Sequence, residues 1–191
     1  MPESALTFQE KLALYSAPTL IGMKTASLFR IQKKDIPDYE ECLHYFNQQF
    51  KKYGIQICIL QENKSSVLLY IYESASLVHI LSNPLVWDIL KPFHYPNQDL
   101  TKVLEHLRKR LLEDEFPHEI GLFLGYPLYD VIHFMNKSCK CKLIGHWKVY
   151  CNVKNTQKTF YKYNCCTKMV QKRISNGESI FRLIERSMTA S

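Results

Sequence analysis

Apolar residues recur along this chain at two spacings, three/four and two, and the switches between them lay out the expected elements. Residues 6–15 (LTFQEKLALY) keep the first spacing, which predicts a short amphipathic helix ended by Pro18. Ser27 to Ile31 reads as a strand. A longer helix is expected over about 36–53, with Asp35 as its cap, Pro37 in its first turn and Gly54 past its end. Within it Tyr39, Cys42, Leu43, Phe46, Phe50 and Tyr53 form one stripe, so Cys42 is expected as a small core residue. Residues 55–60 and 67–72 are β-rich runs around the polar stretch 61–66, a hairpin with a long loop that carries Cys58 in its first strand.

Two short helices, Ser74–Leu81 and Pro84–Leu90, follow, the second capped by Asn83. After a connector at 91–96, Asn97 is read as the cap of a helix to about Leu112, with Leu100, Val103, Leu104, Leu107 and Leu111 on its apolar side. Gly121 and Gly125 then bracket Leu122, Phe123 and Leu124. A tight loop that tucks these three into the core is the expectation, and close backbone approach to a ligand is the alternative. Pro127 opens a helix to about Met135, and 147–150 reads as a strand. A long helix spans about 153–174, stopped by Gly177, and a short one covers 178–186. The pattern is α+β: a small antiparallel sheet (the 55–72 hairpin plus one or two short strands) packed against several helices, with a long basic helix near the C-terminus. At 191 residues and 46% hydrophobic, one domain over 1–191 is expected, with 127–191 as a helical C-terminal subdomain.

Charge changes the picture. No Asp or Glu lies between Asp130 and Glu178, while that stretch carries Lys137, Lys140, Lys142, Lys148, Lys154, Lys158, Lys162, Lys168, Lys172 and Arg173. The formal charge of the whole chain is +7, so the remainder is net negative and the positive charge is segregated. At about 100° per residue, the bases from Lys154 to Arg173 fall within roughly 140° of the long helix. Phe160, Tyr163, Val170 and Ile174 fall on the opposite side. Lysines four apart repel, and no glutamate on this helix compensates them. Lys148, Lys154, Lys158, Lys162, Lys168, Lys172 and Arg173 are therefore the candidate residues for an anionic macromolecular partner, an acidic protein ahead of a nucleic acid. Trp147, Tyr150, Tyr161 and Tyr163 supply the argument for nucleic acid, as base-stacking aromatics among lysines.

Seven cysteines, five of them in the same stretch, raise a second class of function, thiol-based redox or metal handling. Cys165 lies inside the lysine stripe and is the candidate reactive thiol, with Cys166 at the margin. Cys139, Cys141 and Cys166 are the candidate metal ligands, for zinc or an iron–sulfur centre, although the Cys139-x-Cys141 spacing is short for structural zinc. His118-Glu119 is half of a zinc-hydrolase helix motif, but residue 122 is Leu. No phosphate-binding glycine loop or nucleophile elbow is present, so no motif requires a cofactor and a non-enzymatic binding module is the leading expectation. With no apolar run of about 18 residues and no secretory leader pattern, a cytoplasmic protein is expected.

Three blocks are distinctive beyond composition: APTLIGMKTASLF (17–29), HEIGLFLGYP (118–127) and CKLIGHWKVY (141–150). They resemble the domain of unknown function 3793 family, proteins without an assigned activity found mainly in anaerobic Gram-positive bacteria. The resemblance marks Lys24, His118, Glu119, Gly121, Gly125, Tyr126, Pro127, Gly145, Trp147, Lys148 and Tyr150 as family-motif residues, with no catalytic role attached to any. It implies a cytoplasmic protein whose relatives are often encoded near flavodoxin-like and iron-uptake proteins, which makes an acidic flavodoxin-type carrier the partner to consider. One departure stands out: relatives often carry His-Cys where this chain has Tyr15-Ser16.

Overall fold

The computed structural model describes residues 1–97, 99–113, 115–137 and 139–189. In chain order the elements are α1 (Ala5–Leu20), β1 (Ala26–Gln32), α2 (Tyr39–Phe50), β2 (Ile55–Glu62), β3 (Ser66–Glu73), α3 (Ser74–Leu81), α4 (Pro84–Leu90), α5 (Leu100–Arg110), α6 (Ile120–Phe123), α7 (Leu128–Asn136), β4 (Leu143–Ile144), β5 (Lys148–Val149), α8 (Val153–Ser175) and α9 (Ile180–Thr189). The fold is α+β, a three-stranded and a two-stranded antiparallel sheet among helices. The chain divides into two compact units, residues 1–75 with 163–191, and residues 76–162.

In the first unit the sheet order is β1-β3-β2, so the hairpin's second strand is central and β1 completes the sheet antiparallel to it. β3 is buried along almost its whole length, as its apolar sequence SVLLYIY requires. The hairpin loop is shorter than the sequence suggests. The strands run on through Gln61, Glu62 and Ser66, leaving Asn63 to turn the chain by accepting the amides of Ser65 (2.9 Å) and Ser66 (2.8 Å) on Oδ1. Polar Gln61 and Glu62 fit a strand because they pair across it, with Arg30 (2.6 Å) and Lys33 (2.5 Å). A register shift between Ile59 and Gln61 lets Leu60 stay buried.

Against this sheet pack α1, α2, α9 and the second half of α8, around Phe8, Leu12, Phe46, Phe50, Leu69, Ile71, Val170 and Ile184. The α2 stripe is as expected: Tyr39, Cys42, Leu43, Phe46 and Phe50 are all buried. Two expectations at helix ends are corrected. The residue flanking α2 is Asp38, not Asp35, and Pro37 lies outside the helix. Helix α1 does not stop at Pro18 but runs on to Leu20. Proline removes one backbone bond in the last turn, where burial of Ala17, Pro18, Thr19 and Leu20 offsets the loss. The Pro18 carbonyl instead accepts the amides of Met23 (2.8 Å) and Lys24 (3.1 Å).

In the second unit the short helices follow their caps. Asn83 accepts from the Leu85 amide at 3.0 Å. The cap of α5 is Asp99, not Asn97, with Oδ1 accepting the Lys102 amide at 3.0 Å. The α5 stripe Val103, Leu104 and Leu107 is buried, as is Leu111 beyond its end. Leu122, Phe123 and Leu124 are buried as well, so the 121–125 segment is a core-filling turn.

Candidate anion-binding surface

The second unit is organised by two buried carboxylates that make no contact with solvent to speak of. Glu119, on the turn that enters α6, is 1% exposed. It accepts the Nε–H of Arg110 at 2.9 Å and the hydroxyl of Tyr95 at 3.2 Å, and Arg110 pairs with Glu113 as well. Burial first, and then the charge of Glu119, push the Tyr95 phenol far above its ordinary pKa. Glu119 is thus an ion-pair anchor rather than half of a metal-binding helix.

The second carboxylate, Asp130 on α7, had no role in the sequence reading. Its Oδ2 accepts the indole N–H of Trp147 at 2.8 Å; its Oδ1 accepts the amides of Tyr150 at 2.8 Å and Cys151 at 3.1 Å. The β4–β5 hairpin is too short to hold itself, and Asp130 ties its exit down. Trp147 stacks on Tyr126 (centroids 5.0 Å) and meets Phe160 edge-on (4.5 Å). Gly145 is required beside it, since a Cβ there would lie 2.2 Å from the Phe160 ring, and Gly121 is closely packed as well, where a Cβ would lie 2.9 Å from Val131. Pro127 sets the start of α7. The motif residues Glu119, Gly121, Tyr126, Gly145, Trp147 and Tyr150 therefore meet as architecture.

That architecture leaves a hollow of about 600 Å³. Lys137, Lys140 and Lys148 bring three ammonium groups to it, and Cys139 and Cys141 bring two thiols. Phe134, His118 and Tyr150 give it aromatic walls, with the Lys148 ammonium 5.0 Å from the Phe134 centroid and His118 edge-on to that ring at 4.8 Å. Burial, then the neighbouring Cys141 and Cys139 thiols and Asp130, raise the pKa of the Tyr150 phenol. Cys139 Sγ lies 3.9 Å from His133 Nδ1. His133 and Phe134 were not singled out in the sequence; the fold adds His118 and Lys148 to the neighbouring end of α7 and the 139–141 segment.

Helix α8 is continuous and its two sides are as the periodicity predicts. Phe160, Tyr163, Val170 and Ile174 are buried, and Tyr163 donates its hydroxyl to the Met23 carbonyl at 3.2 Å. Lys154, Lys158 and Lys162 in the second unit, and Lys168 and Lys172 in the first, are exposed. Among the described residues, none of these five makes an ion pair with a carboxylate. Arg173 does: it pairs with Glu178 at 3.2 Å, and Glu178 also binds Arg186. Arg173 shares that one carboxylate with Arg186, so it stays in the candidate set as a partly compensated base.

The cysteines separate by environment. Cys165 is exposed on the lysine side of α8. Cys166 is buried in the core of the first unit, where loss of water raises its thiol to about 11. Cys42, equally buried, is raised to about 11 for the same reason. Among the described residues no group of three or more His, Cys, Asp or Glu side chains is placed to hold a metal ion. The Cys139, Cys141 and Cys166 set is therefore not assembled, and Cys166 serves as a core residue.

Near the start of the chain, burial lowers the Lys24 amine to about 8, in the turn that leads from α1 into β1. Tyr15 stacks on Phe29 (5.2 Å), and buried Ser16 donates its hydroxyl to the Leu12 carbonyl at 2.7 Å. Tyr15 is thus partly exposed against Phe29, and Ser16 is a buried, hydrogen-bonded residue.

The family model described as "Protein of unknown function (DUF3793)" matches residues 12–184. The chain belongs to that family. Within this DUF3793 member the three distinctive blocks all fall inside the matched span, and two of them build the Asp130–Trp147 architecture. No curated protein and no solved structure matches the chain. No helix among the described residues is long and apolar enough to cross a membrane.

Proposed function

We propose that this DUF3793 protein is a non-catalytic, cytoplasmic binding module whose α8 lysines engage an anionic macromolecule, an acidic protein ahead of a nucleic acid. The observation that carries this reading is the line of exposed ammonium groups at Lys154, Lys158, Lys162, Lys168 and Lys172, unmatched by carboxylates among the described residues. Such a line costs some stability through mutual repulsion and is relieved when an anion docks. An acidic protein is favoured because the aromatics needed for base stacking are taken up internally. Tyr150 and Tyr163 are buried, Trp147 is packed between Tyr126 and Phe160, and Tyr161 alone of the four stays 71% exposed. Lysines are point charges that suit carboxylate clusters without fixed geometry, whereas Arg173, the base on this helix suited to bidentate phosphate recognition, is committed to Glu178.

An acidic flavodoxin-type carrier is the first partner to try. In a direct binding assay the wild-type chain binds it. The triple charge reversal Lys154→Glu, Lys158→Glu, Lys162→Glu weakens binding by about tenfold or more, an order set by a few tenths to 1 kcal/mol per charge contact. Equal binding by both chains rejects the reading; preference for a single-stranded oligonucleotide replaces it with the nucleic-acid alternative.

The thiol reading keeps one specific support, the Cys139–His133 approach at 3.9 Å in an exposed setting. Metal analysis and timed thiol titration of protein purified without oxygen test it. Bound metal, or one or two thiols reacting much faster than the rest, favours that class.

A further inference from the structure

We propose that the hollow in the second unit, lined by the end of α7, the 139–141 segment and β5, binds a nucleoside monophosphate. The proposal goes beyond the α8 reading and stands or falls separately, because it rests on Phe134, Lys137 and Lys140 rather than on the lysines of α8.

Three features of the hollow converge on that ligand class. The first is charge. Lys137, Lys140 and Lys148 line it, with no carboxylate among its described walls. Both oxygens of Asp130, the nearby acid, are occupied by Trp147, Tyr150 and Cys151. Three ammonium groups around one concavity suit a dianionic phosphate better than a single carboxylate. The second is shape. About 600 Å³ lies in the range of small-molecule sites and is far more than an inorganic anion fills. The third is the aromatic wall. Phe134 is half-buried and carries Lys148 against its ring and His118 at its edge, so the ring is fixed and charge-flanked. A planar base laid against Phe134 and His118 would place its phosphate among the lysines. Macromolecular anions fit less well, since the concavity is small and closed on one side by buried Tyr150.

The thiols supply an internal reporter. Cys139 and Cys141 line the hollow, whereas Cys165 sits exposed on α8 outside it. A ligand seated against Phe134 shields the first two from a thiol reagent and leaves the third unaffected.

The test is calorimetric titration of the full chain with each of the four ribonucleoside 5′-monophosphates, with adenosine and with inorganic phosphate. It is paired with the rate of thiol labelling resolved by peptide mapping. The expected result is saturable binding of at least one nucleotide, about tenfold or more tighter than adenosine or phosphate. Labelling of Cys139 and Cys141, but not Cys165, then slows. Lys137→Ala with Lys140→Ala weakens nucleotide and phosphate together. Phe134→Leu, which keeps volume, weakens the nucleotide alone, and the α8 triple reversal leaves nucleotide binding intact. The proposal is overturned by no saturation with any of the four up to about 10 mM. It is equally overturned by phosphate binding as tightly as the nucleotides, or by unchanged binding in the folded Lys137/Lys140 variant.

Discussion

The carboxylate of Asp130 accepts the indole N–H of Trp147 at 2.8 Å, across a chain separation of seventeen residues, and the same side chain holds the amides that lead out of β5. A two-residue strand pair cannot supply that order, so Asp130 is the keystone of the 143–151 segment. Asp130→Ala leaves the buried Tyr150 amide without a partner and is expected to cost about 3 kcal/mol. Denaturant unfolding in a Trp87→Phe background, followed through Trp147 emission, measures it. An unchanged midpoint and spectrum would show that the hairpin holds without this carboxylate.

Gly145 and Phe160 make a second prediction from close approach. A methyl group at residue 145 would stand 2.2 Å from the ring, so Gly145→Ala forces either the hairpin or the ring to move and is expected to destabilise by about 2 kcal/mol. Phe160→Leu shortens the side chain, and the double variant should recover part of the loss. A double-mutant cycle with no coupling would place the strain elsewhere.

The Arg110–Glu119 pair predicts an asymmetry. Arg110→Ala strands a carboxylate that is 1% exposed, with the Tyr95 hydroxyl as its remaining hydrogen-bond partner among the described residues, and should cost about 3–5 kcal/mol. Glu119→Gln keeps two hydrogen-bonding atoms in place and leaves Arg110 its pairing with Glu113, so it should cost clearly less. Equal losses in chemical denaturation would argue against the buried-charge account.

Lys24 gives a pH dependence. Its amine titrates near 8 in the folded chain against 10.5 ordinarily, because burial disfavours the charged form. Between those values the unfolded chain holds more protons, so stability from this group rises with pH. Below about 8 both states are charged and the cost of burying the charge is felt in full. Lys24→Met removes that cost. The gain over wild type should be largest below pH 8, on the order of 1–3 kcal/mol given that the side chain stays partly exposed, and should shrink towards pH 10.5. Taking the difference between the two chains cancels the opposite slope from the buried Cys42 and Cys166 thiols. A gap that does not change with pH would mean that Lys24 is not desolvated.

Much of the fold was legible because it rests on local periodicity. The α2 stripe, the hairpin and the two faces of α8 follow from spacing alone, and each buries the residues it should. Boundaries were misplaced where burial outweighed a local breaker, as at Pro18, where two polar residues paired across a strand, as Gln61 and Glu62 do with Arg30 and Lys33, and where a second capping residue stood two or three positions on, as at Asp38 and Asp99. The exposure of the α8 lysines was equally readable. The hollow was not, since Lys148 and Tyr150 reach Phe134 and Lys137 on a segment tied down by the long-range bonds of Asp130, whose sole sequence signal is an acid amid the apolar residues of α7. The Arg173–Glu178 pair was not readable from the helix either, because Glu178 lies past its end.

The most direct measurement of the central claim is the affinity for an acidic flavodoxin-type carrier across a salt series from about 50 to 300 mM. If the α8 lysines carry the interaction, the logarithm of affinity falls steadily as salt rises, and the fall is much shallower for the Lys154→Glu, Lys158→Glu, Lys162→Glu chain. A binding constant indifferent to ionic strength, or a slope shared by both chains, would contradict it.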